Sequence, residues 1–481
     1  MLYNRVIPIC FKLCLFCFTK IFSQEQLGLR LDNFAGANAL ALNPAANATN
    51  PLTWDINLAG FGFNINTNIG YLENASVLKA TNNAATIGPD PTLKLAHKND
   101  FTLFYNVYSK NRYNFSLNMR AMGPSVSINL KNGHSFGFFT GVRAMASSHS
   151  LPYLINPVKL EAIDFNQTFK IEPFKAAGLV WSEIGVNYAY KISSDDSERG
   201  ITIGANVKYL SSFQGFFVNN YKGTEITQLA QDTFRIDAIR LKAGFTTNYD
   251  TDISHQNGTG LGFDVGVVVT TEGGEDTPYG WRFGASLLDL GKINLTNNTE
   301  VHDFVANDGF QLDKNNFKDI NPVNPRADIL NRITQKFSSK APTKTTNAFQ
   351  VGLPSALQLQ ADYAFANNLF INALLIQRVA INEIVLERDN LFAVTPRYET
   401  RWVGASMSLI VQNWQQLRVG LNARLAFLSF GTDNLGSWLI NGKLSGTDAY
   451  IALKINPFTI GFLEGKLGGH KWQKKVNCYR F

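Results

Sequence analysis

The chain has 481 residues and a formal net charge of +7, and charged residues make up 17% of it, against about 25% in typical soluble domains. No apolar stretch of about 18 residues occurs in the body of the sequence, which excludes membrane-spanning helices there. The basic residues are dispersed and are not clustered with aromatic residues, so the charge does not indicate nucleic-acid binding.

The first 23 residues have the pattern of an export signal. A positively charged start precedes an apolar core over residues 6–18, and cleavage is predicted near Ser23 or Gln24. Three of the four cysteines lie in this signal, and the mature chain therefore keeps only Cys478. An internal disulfide or a cysteine metal site is excluded in such a chain.

Residues 24–50 follow the signal and are rich in small side chains. Pro44 and Pro51 exclude a continuous strand. Residues 35–42 are predicted to form a short helix that ends before Asn43, because a residue that precedes proline disfavours helical geometry. The segment is too short for a domain, so two interpretations stay open: a plug inside a barrel mouth, or a linker.

From Trp54 onward the sequence alternates between apolar and polar residues. The runs "IGVNYAYKI" (184–192) and "ITIGANVKYL" (201–210) are the clearest, and the polar link "SSDDSERG" between them predicts a hairpin. A period of two is that of a β-strand with unlike faces. An apolar outer face and a charged inner face suit a barrel whose outer solvent is lipid.

The alternation recurs along nearly the whole mature chain. The first strand is predicted at 54–66, and Asn132-Gly133 predicts a tight hairpin. Further alternating segments lie at 239–246, 261–270, 281–287, 357–365 and 417–427. Residues 51–481 are therefore predicted to form one all-β, transmembrane, antiparallel up-and-down barrel of about 14 strands, with 16 as the alternative.

Three long intervals separate the strands and are predicted as extracellular loops: 65–112, 149–177 and 306–350. Residues 101–108 are left within the first loop, and a short helix is predicted at 325–337 within the last. Outer-membrane barrels join their strands by short turns on the periplasmic side. Four short links are predicted to share that side: 131–134, 193–199, 366–368 and 412–415.

The sequence carries no recognisable catalytic or metal-binding motif. HExxH, P-loop, GxSxG and paired CxxC patterns do not occur, and no metal site or cofactor is predicted. The one local Ser/His pairing is "SSHS" at 147–150, for which no acidic partner can be assigned. We therefore expect no enzyme, with an outer-membrane hydrolase as a distant alternative.

The strand phases place ten charged residues on the inner face: Lys191, Lys208, Arg240, Lys242, Arg282, Arg418, Arg424, Glu183, Asp264 and Asp362. One interpretation is a basic lumen that favours anionic solutes or fatty carboxylates. The other is a network of ion pairs that fills a closed barrel. Buried charges tend to be paired, and three carboxylates cannot neutralise seven cations. The excess requires water, acidic residues from a plug or loops, or a ligand.

Several stretches, in order, resemble the DUF5723 family of outer-membrane β-barrels of Bacteroidota: "LGLRLDNFAGANALALNPAANAT", "MGPSVSINLKNGHSFGFFTGVRA", "GFDVGVVVT", "WRFGASLLDLGKI", "LSFGTDNLGSWL" and "VNCYRF". More distantly they resemble the FadL-like superfamily of long-chain fatty acid transporters and type IX secretion-associated barrels. This resemblance implies an N-terminal hatch with an Asn-Pro-Ala turn, matched here by Asn43, Pro44 and Ala45, and so favours the plug. Phe481 resembles the aromatic end of the signal that the barrel-assembly machinery reads.

The expected location is the outer membrane of a Gram-negative, Bacteroidota-like cell, with membrane lipid and the assembly machinery as partners. The leading function is passive passage or binding of small hydrophobic or amphipathic molecules. The alternative is a non-transporting accessory barrel of a secretion or surface complex. Transport predicts a lateral opening or kinked strand beside a lumenal pocket, with Arg240, Arg282 and Arg424 as pocket candidates. A filled lumen and an exposed apolar patch on residues 306–350 would favour the accessory role.

Overall fold

The computed structural model describes residues 25–82, 102–106, 112–130, 132–155, 164–192, 200–230, 233–248, 252–274, 277–306, 310–313, 332 and 344–457. The predicted signal, the link 193–199, most of the helix predicted at 325–337, and Phe481 lie outside these residues.

Nearly all of the regular structure is β-strand. In chain order the strands are Trp54–Thr67 (β1), Gly70–Ala75 (β2), Thr102–Tyr105 (β3), Tyr113–Met122 (β4), Ser125–Asn129 (β5), His134–Leu151 (β6), Thr168–Ile171 (β7), Phe174–Ile192 (β8), Gly200–Ala230 (β9), Thr233–Thr246 (β10), Gly258–Thr270 (β11), Trp281–Leu295 (β12), Thr299–Ala306 (β13), Phe310–Asp313 (β14), Lys344–Thr346 (β15), Phe349–Gly352 (β16), Ala356–Ala366 (β17), Leu369–Arg378 (β18), Leu391–Glu399 (β19), Val403–Gln412 (β20), Gln416–Leu425 (β21), Leu428–Thr432 (β22), Gly442–Leu444 (β23) and Gly446–Ile455 (β24).

The helices are short. They are α-helices at Leu27–Arg30, Val77–Asn82 and Leu435–Leu439, and 3-10 helices at Gly36–Ala41, Pro44–Thr49 and Tyr153–Ile155. The helix predicted at 35–42 is thus present in 3-10 form and ends before the Asn-Pro pair, as expected. Across the described ranges, no helix combines the length and apolar character needed to cross a membrane.

The strands close into an antiparallel barrel of 14 strands, which confirms the predicted fold class. Around the ring the order is β1, β4 continued by β5, β6, β8, β9, β11, β12, β17, β18, β19, β20, β21, β22 and β24. Closure comes from β24, which pairs with β1 from Ile56–Ile455 to Asn66–Gly446.

The alternation of the sequence separates the two faces of the wall. Ile184 and Val186 are 52% and 55% exposed on the outside, whereas Glu183 and Asn187 of the same strand are buried inside. Such outward apolar side chains recur on every long ring strand. A strand of about 9–11 residues suffices to cross a bilayer, and β20 and β21 have 10 residues each.

The two ends of the barrel differ. The links 132–134, 366–368 and 400–402 lie at one end, here called the turn end. At the other end, β9 runs beyond the ring: it pairs with β11 up to Ser212 and with β10 from Phe216 onward. Strands β7, β10, β13, β14 and β15 extend it into a projecting sheet, here called the flap.

The intervals that were predicted as loops also contain strands. The interval 65–112 contains β2 and β3, which with β23 form a separate three-stranded sheet outside the ring. The interval 149–177 contains β7, and 306–350 contains β14 and β15. Strands outside the lipid need no apolar outer face, and period-two alternation does not mark the short strands β2, β3, β7, β14 and β15.

One predicted side assignment was wrong. The link 412–415 lies at the flap end, opposite to the link 366–368. Three antiparallel strands, β18, β19 and β20, separate the two links, and each crossing reverses the end that the chain reaches.

Candidate functional site

Residues 25–52, here called the inner segment, lie inside the barrel. Their helices contact the wall strands β8, β9, β11, β20 and β21, and most of their side chains are buried. Leu27, Leu31 and Leu42 form one apolar cluster with inward residues of β17, β18, β19 and β20. Burial of apolar surface therefore holds the inner segment against one side of the wall.

The Asn-Pro-Ala turn of the inner segment docks on the wall through backbone groups. The Asn43 Oδ1 accepts a hydrogen bond from the Ala45 amide at 2.9 Å, which fixes the turn. The Asn43 Nδ2 donates to the carbonyl oxygens of Val267 at 3.1 Å and Ala285 at 3.4 Å.

Three glycines on the inner face make this approach possible. A Cβ at Gly204 would lie 2.6 Å from the backbone of Pro44 and Ala45, and a Cβ at Gly266 would lie 2.1 Å from the Asn43 Oδ1. Gly284 would meet the Asn43 Nδ2 at 3.1 Å. At Gly204 and Gly266 the turn occupies the volume that a side chain would need, whereas at Gly284 the side chain of Gln360, 2.8 Å from the Cβ position, is closer than the turn.

The middle of the lumen holds a group of ion pairs, here called the central cluster: Glu25, Arg30, Arg120, Arg143, Glu183, Lys208, Asp264, Asp289 and Arg388. The Lys208 Nζ donates to Asp264 and to Asp289, both at 2.7 Å. The Arg120 Nη2 donates to Glu183 at 2.7 Å. Only Arg120 keeps a partly exposed side chain, so these charges interact where water screens them little.

Asp289 enters the central cluster through a β-bulge. Phe263 pairs with Leu290 and Val265 pairs with Leu287, so Leu288 and Asp289 together oppose the single residue Asp264. Asp289 has a φ of +52°, which is uncommon for a residue other than glycine. The bulge turns inward a side chain that strict alternation would point to lipid.

A second ion-pair group lies towards the turn end. The Asp362 Oδ2 accepts from Arg282 at 2.5 Å, from Arg397 at 3.0 Å and from the Tyr279 hydroxyl at 2.7 Å. The Arg424 Nε donates to Asp32 of the inner segment at 2.6 Å.

The connection between β18 and β19, residues 379–390, folds inward from the flap end. Its Arg388 donates to both carboxylate oxygens of Glu25, at 2.7 and 2.5 Å. Its Asp389 and Glu387 accept from the two ring nitrogens of His149, at 2.5 and 3.2 Å. This loop therefore ties the start of the inner segment to the wall.

The "SSHS" stretch has the acidic partners that the sequence could not assign. Both ring nitrogens of His149 contact carboxylates. The Ser147 Oγ accepts from the Glu387 amide, and the Ser148 Oγ donates to the Lys175 carbonyl. Within the described residues no serine hydroxyl contacts the imidazole, and the arrangement lacks the nucleophile–base contact of a hydrolase.

The structure places the predicted lumen charges as follows. Lys208, Arg282, Arg424, Glu183, Asp264 and Asp362 are inside the ring and in ion pairs. Arg418 is buried and donates to Asn66 and Gln416, and Lys191 is half-buried at the turn end. The placement of Arg240 and Lys242 was wrong, because both lie on β10, in the flap and beyond the ring. Their strand alternates like a wall strand, so the pattern alone cannot separate the two.

The excess of positive charge among the predicted residues is met by further acidic residues, one of the three possibilities that the sequence left open. Nine cationic side chains and eleven carboxylates are buried among the described residues. Eight of these carboxylates were not predicted. Asp55, Glu399, Asp433 and Asp448 lie on wall strands or directly after one, and the other four come from the inner segment (Glu25 and Asp32), from the inward loop (Asp389) and from the bulge (Asp289). Alternation cannot identify any of these last four positions as lumenal.

Four other lumenal cations that were missed do follow the alternation of the sequence. Arg120, Arg143, Arg397 and Lys454 occupy the inward phase of their strands and are paired inside the lumen. Extending the alternation to β4, β6, β19 and β24 would have found them.

Among the described residues, the inner segment packs closely against the wall of the lumen. Two cavities there have volumes of about 20 and 30 Å³, room for about one water each. A larger cavity of about 290 Å³ lies at the flap end, lined by Phe217, Lys242, Lys292, Phe349, Glu383 and Ile384 among others. Of the three predicted pocket residues, neither Arg240 nor Arg424 lines any of these cavities, and Arg282 lines only the 30 Å³ one.

The wall is irregular beside the larger cavity. Strand β9 bulges at Phe213, where the pairing with β8 shifts between Val180 and Trp181. The buried Asn257 bridges the point where β10 and β11 part from β9: its amide donates to the Ser212 carbonyl at 2.8 Å, and its side chain donates to Asn248 at 2.7 Å.

Over the described ranges, no group of three or more His, Cys, Asp or Glu residues is arranged to hold a metal ion.

The profile of one family, described as "Family of unknown function (DUF5723)", matches residues 44–433. No curated protein sequence matches the chain. Solved structures with a similar arrangement include a deltaS2 mutant of the TodX monoaromatic hydrocarbon channel, at 10% identity and a TM-score of 0.41, covering 88% of this chain and 95% of that one. The toluene transporter TbuX of Ralstonia pickettii has 9% identity and a TM-score of 0.32, covering 88% and 94%. A FadL homologue of Pseudomonas aeruginosa has 9% identity and a TM-score of 0.23, covering 90% and 99%. At these TM-scores the likeness does not bear on function.

Proposed function

The chain belongs to the DUF5723 family, a family of unknown function, and we propose that it is an outer-membrane barrel that binds small hydrophobic or amphipathic molecules at its flap end. For a molecule to pass into the lumen, the inner segment has to move aside. The inner segment is thus the plug of the barrel, and the mechanism needs no cofactor or energy source.

The outer surface of the ring supports the membrane location. Its exposed side chains are apolar from strand to strand, and aromatic residues cluster towards the turn end, among them Trp281, Phe365, Tyr398 and Trp402. Aromatic residues are enriched at the membrane–water interfaces of such barrels. The export signal predicted at 1–23 fits delivery to a Gram-negative, Bacteroidota-like outer membrane.

The observation that carries the binding function is the 290 Å³ cavity. Phe217, Phe349 and Ile384 give it an apolar part, and Lys242 and Lys292 give it a cationic part. A small amphipathic molecule matches both, because ligand sites combine apolar walls with a few polar groups. The cavity also lies beside the bulge of β9, where the wall divides.

The first experiment measures conductance in planar bilayers. We expect the full barrel to be nearly silent and a variant lacking residues 25–50 to conduct, because the inner segment spans the lumen from β20 and β21 on one side to β8, β9 and β11 on the other. Equal conductance of the two proteins would refute the plug.

The second experiment measures binding of a fluorescent amphipathic probe to the purified barrel. The substitution Gln350→Trp places a large ring in the cavity wall and is expected to weaken binding at least tenfold. The matched control is Gln311→Trp on β14, another exposed strand glutamine, which does not line the cavity. Equal binding by both variants would refute the cavity as the site.

A specific observation favours the second candidate, a non-transporting accessory barrel of a secretion or surface complex. The lumen is filled by paired charges, as expected of a barrel whose role is structural. Silence of the variant lacking 25–50, together with a stable partner recovered from native membranes, would support this candidate. A hydrolase is not proposed, because the carboxylates hold both nitrogens of His149.

A further inference from the structure

The central cluster contains one more positive than negative charge. Its cations are Arg30, Arg120, Arg143, Lys208 and Arg388, and its carboxylates are Glu25, Glu183, Asp264 and Asp289. The ion-pair group towards the turn end is balanced by comparison, with Arg282, Arg397 and Arg424 opposite Asp32, Asp362 and Glu399. An unneutralised charge in a buried site is costly.

All five cations line one small cavity of about 20 Å³. Asp264 and Asp289 also line it, whereas Glu25 and Glu183 lie behind the arginines that they pair with. The cavity has room for one water-sized particle. This size excludes phosphate, sulfate and organic carboxylates.

Hydrogen-bonding capacity remains at the cavity. The Nε of Arg143, a buried lining residue, has no partner in the part of the chain that the structure describes. Arg30 donates one hydrogen bond there, to Glu25 at 3.3 Å, although a guanidinium has five N–H donors.

Three other guanidinium groups act on Arg30. Burial and the nearby guanidinium of Arg120, with those of Arg388 and Arg143, lower the pKa of Arg30 to about 9, although Glu25 acts in the opposite direction. At neutral pH the side chain is still charged, so the excess persists.

We propose that this cavity binds one monatomic anion, of the size of chloride, between Arg30 of the inner segment and Arg120 of the wall. The anion neutralises the excess charge and accepts N–H donors from both sides. It thereby holds the inner segment in the lumen, and this role does not require that the barrel conduct.

The test uses the full barrel in detergent and bromide as the probe. In crystals grown with sodium bromide we expect an anomalous peak within hydrogen-bond distance of the Arg30 and Arg120 guanidinium groups. In solution, the midpoint of the heat-induced gel-mobility shift should rise with sodium chloride and saturate, relative to sodium gluconate at equal ionic strength, because a ligand that binds only the folded state stabilises it.

Two variants and a control locate the effect. Arg30→Gln removes the excess charge and should abolish the chloride-dependent rise, and Arg120→Gln on the wall should do the same if the first variant folds poorly. The control is Arg418→Gln, a buried lumenal arginine that does not line this cavity, which should keep the rise. A water molecule in place of the bromide peak, or equal midpoints in chloride and gluconate for the unaltered barrel, would overturn the proposal.

Discussion

The substitution Gly204→Ala tests whether the inner segment is held by close contact with the wall. The new Cβ would lie 2.6 Å from backbone atoms of Pro44 and Ala45, whereas ordinary contact begins at 3.4 Å. No rotamer change relieves a clash with backbone, so the turn has to move by about 0.8 Å or more.

That displacement breaks the hydrogen bonds that dock the turn. The bonds from Asn43 to Val267 and Ala285, and from Asn187 to the Pro44 carbonyl, measure 3.1, 3.4 and 3.0 Å. Lengthened by about 0.8 Å, all three exceed hydrogen-bond range. At about 1 kcal/mol each, docking weakens by about 3 kcal/mol, or roughly 10²-fold in the equilibrium between docked and displaced segment.

Hydrogen exchange followed by mass spectrometry measures this equilibrium directly. We expect the protection of amides 36–49 to fall roughly 10²-fold in Gly204→Ala, with the strands of the ring unchanged. The matched control is Gly60→Ala on β1, whose Cβ would have its nearest neighbour at 3.5 Å. Unchanged protection in Gly204→Ala, or an equal loss in Gly60→Ala, would refute the docking mechanism.

Two further predictions concern the membrane and the inward loop. Val265→Arg puts a charge on the outward face in the middle of β11 and should make the free energy of folding into liposomes, measured with urea, less favourable by about 2–4 kcal/mol. Thr259→Arg, near the flap end of the same strand, should make it less favourable by only about 0–1 kcal/mol. Equal losses in the two variants would contradict a lipid-facing belt. Burial alone would raise the pKa of the Asp389 carboxyl, but hydrogen bonds from His149, Asn413 and Ser116 hold it well below its ordinary 3.8. A lowered carboxyl pKa gives stability that is present above about pH 4 and is lost as the pH falls further. The midpoint temperature of the gel-mobility shift should therefore fall more steeply with acid in the unaltered barrel than in Asp389→Asn. Parallel curves of midpoint against pH for the two proteins would contradict this.

The fold followed from the sequence because lipid imposes a rule on every crossing residue. Each strand must put apolar side chains outward and close its backbone hydrogen bonds with neighbours, so period-two alternation and closure come together. Lys208, Arg282 and Asp362 were therefore predicted on the correct face from local pattern alone. The same pattern on β10 misplaced Arg240 and Lys242, because a strand of the flap alternates as well.

Which charges in the lumen are paired was decided by the tertiary structure. Glu25 and Asp32 reach the wall cations only because the inner segment turns back into the barrel, and Asp389 arrives from a loop between two strands. Asp289 points inward only because one extra residue shifts the register. Alternation predicts which face of a strand each side chain lies on, because residues two positions apart share a face. The pairs Glu25–Arg388 and Asp32–Arg424 join residues hundreds of positions apart, and these contacts exist only once the ring has closed around the inner segment.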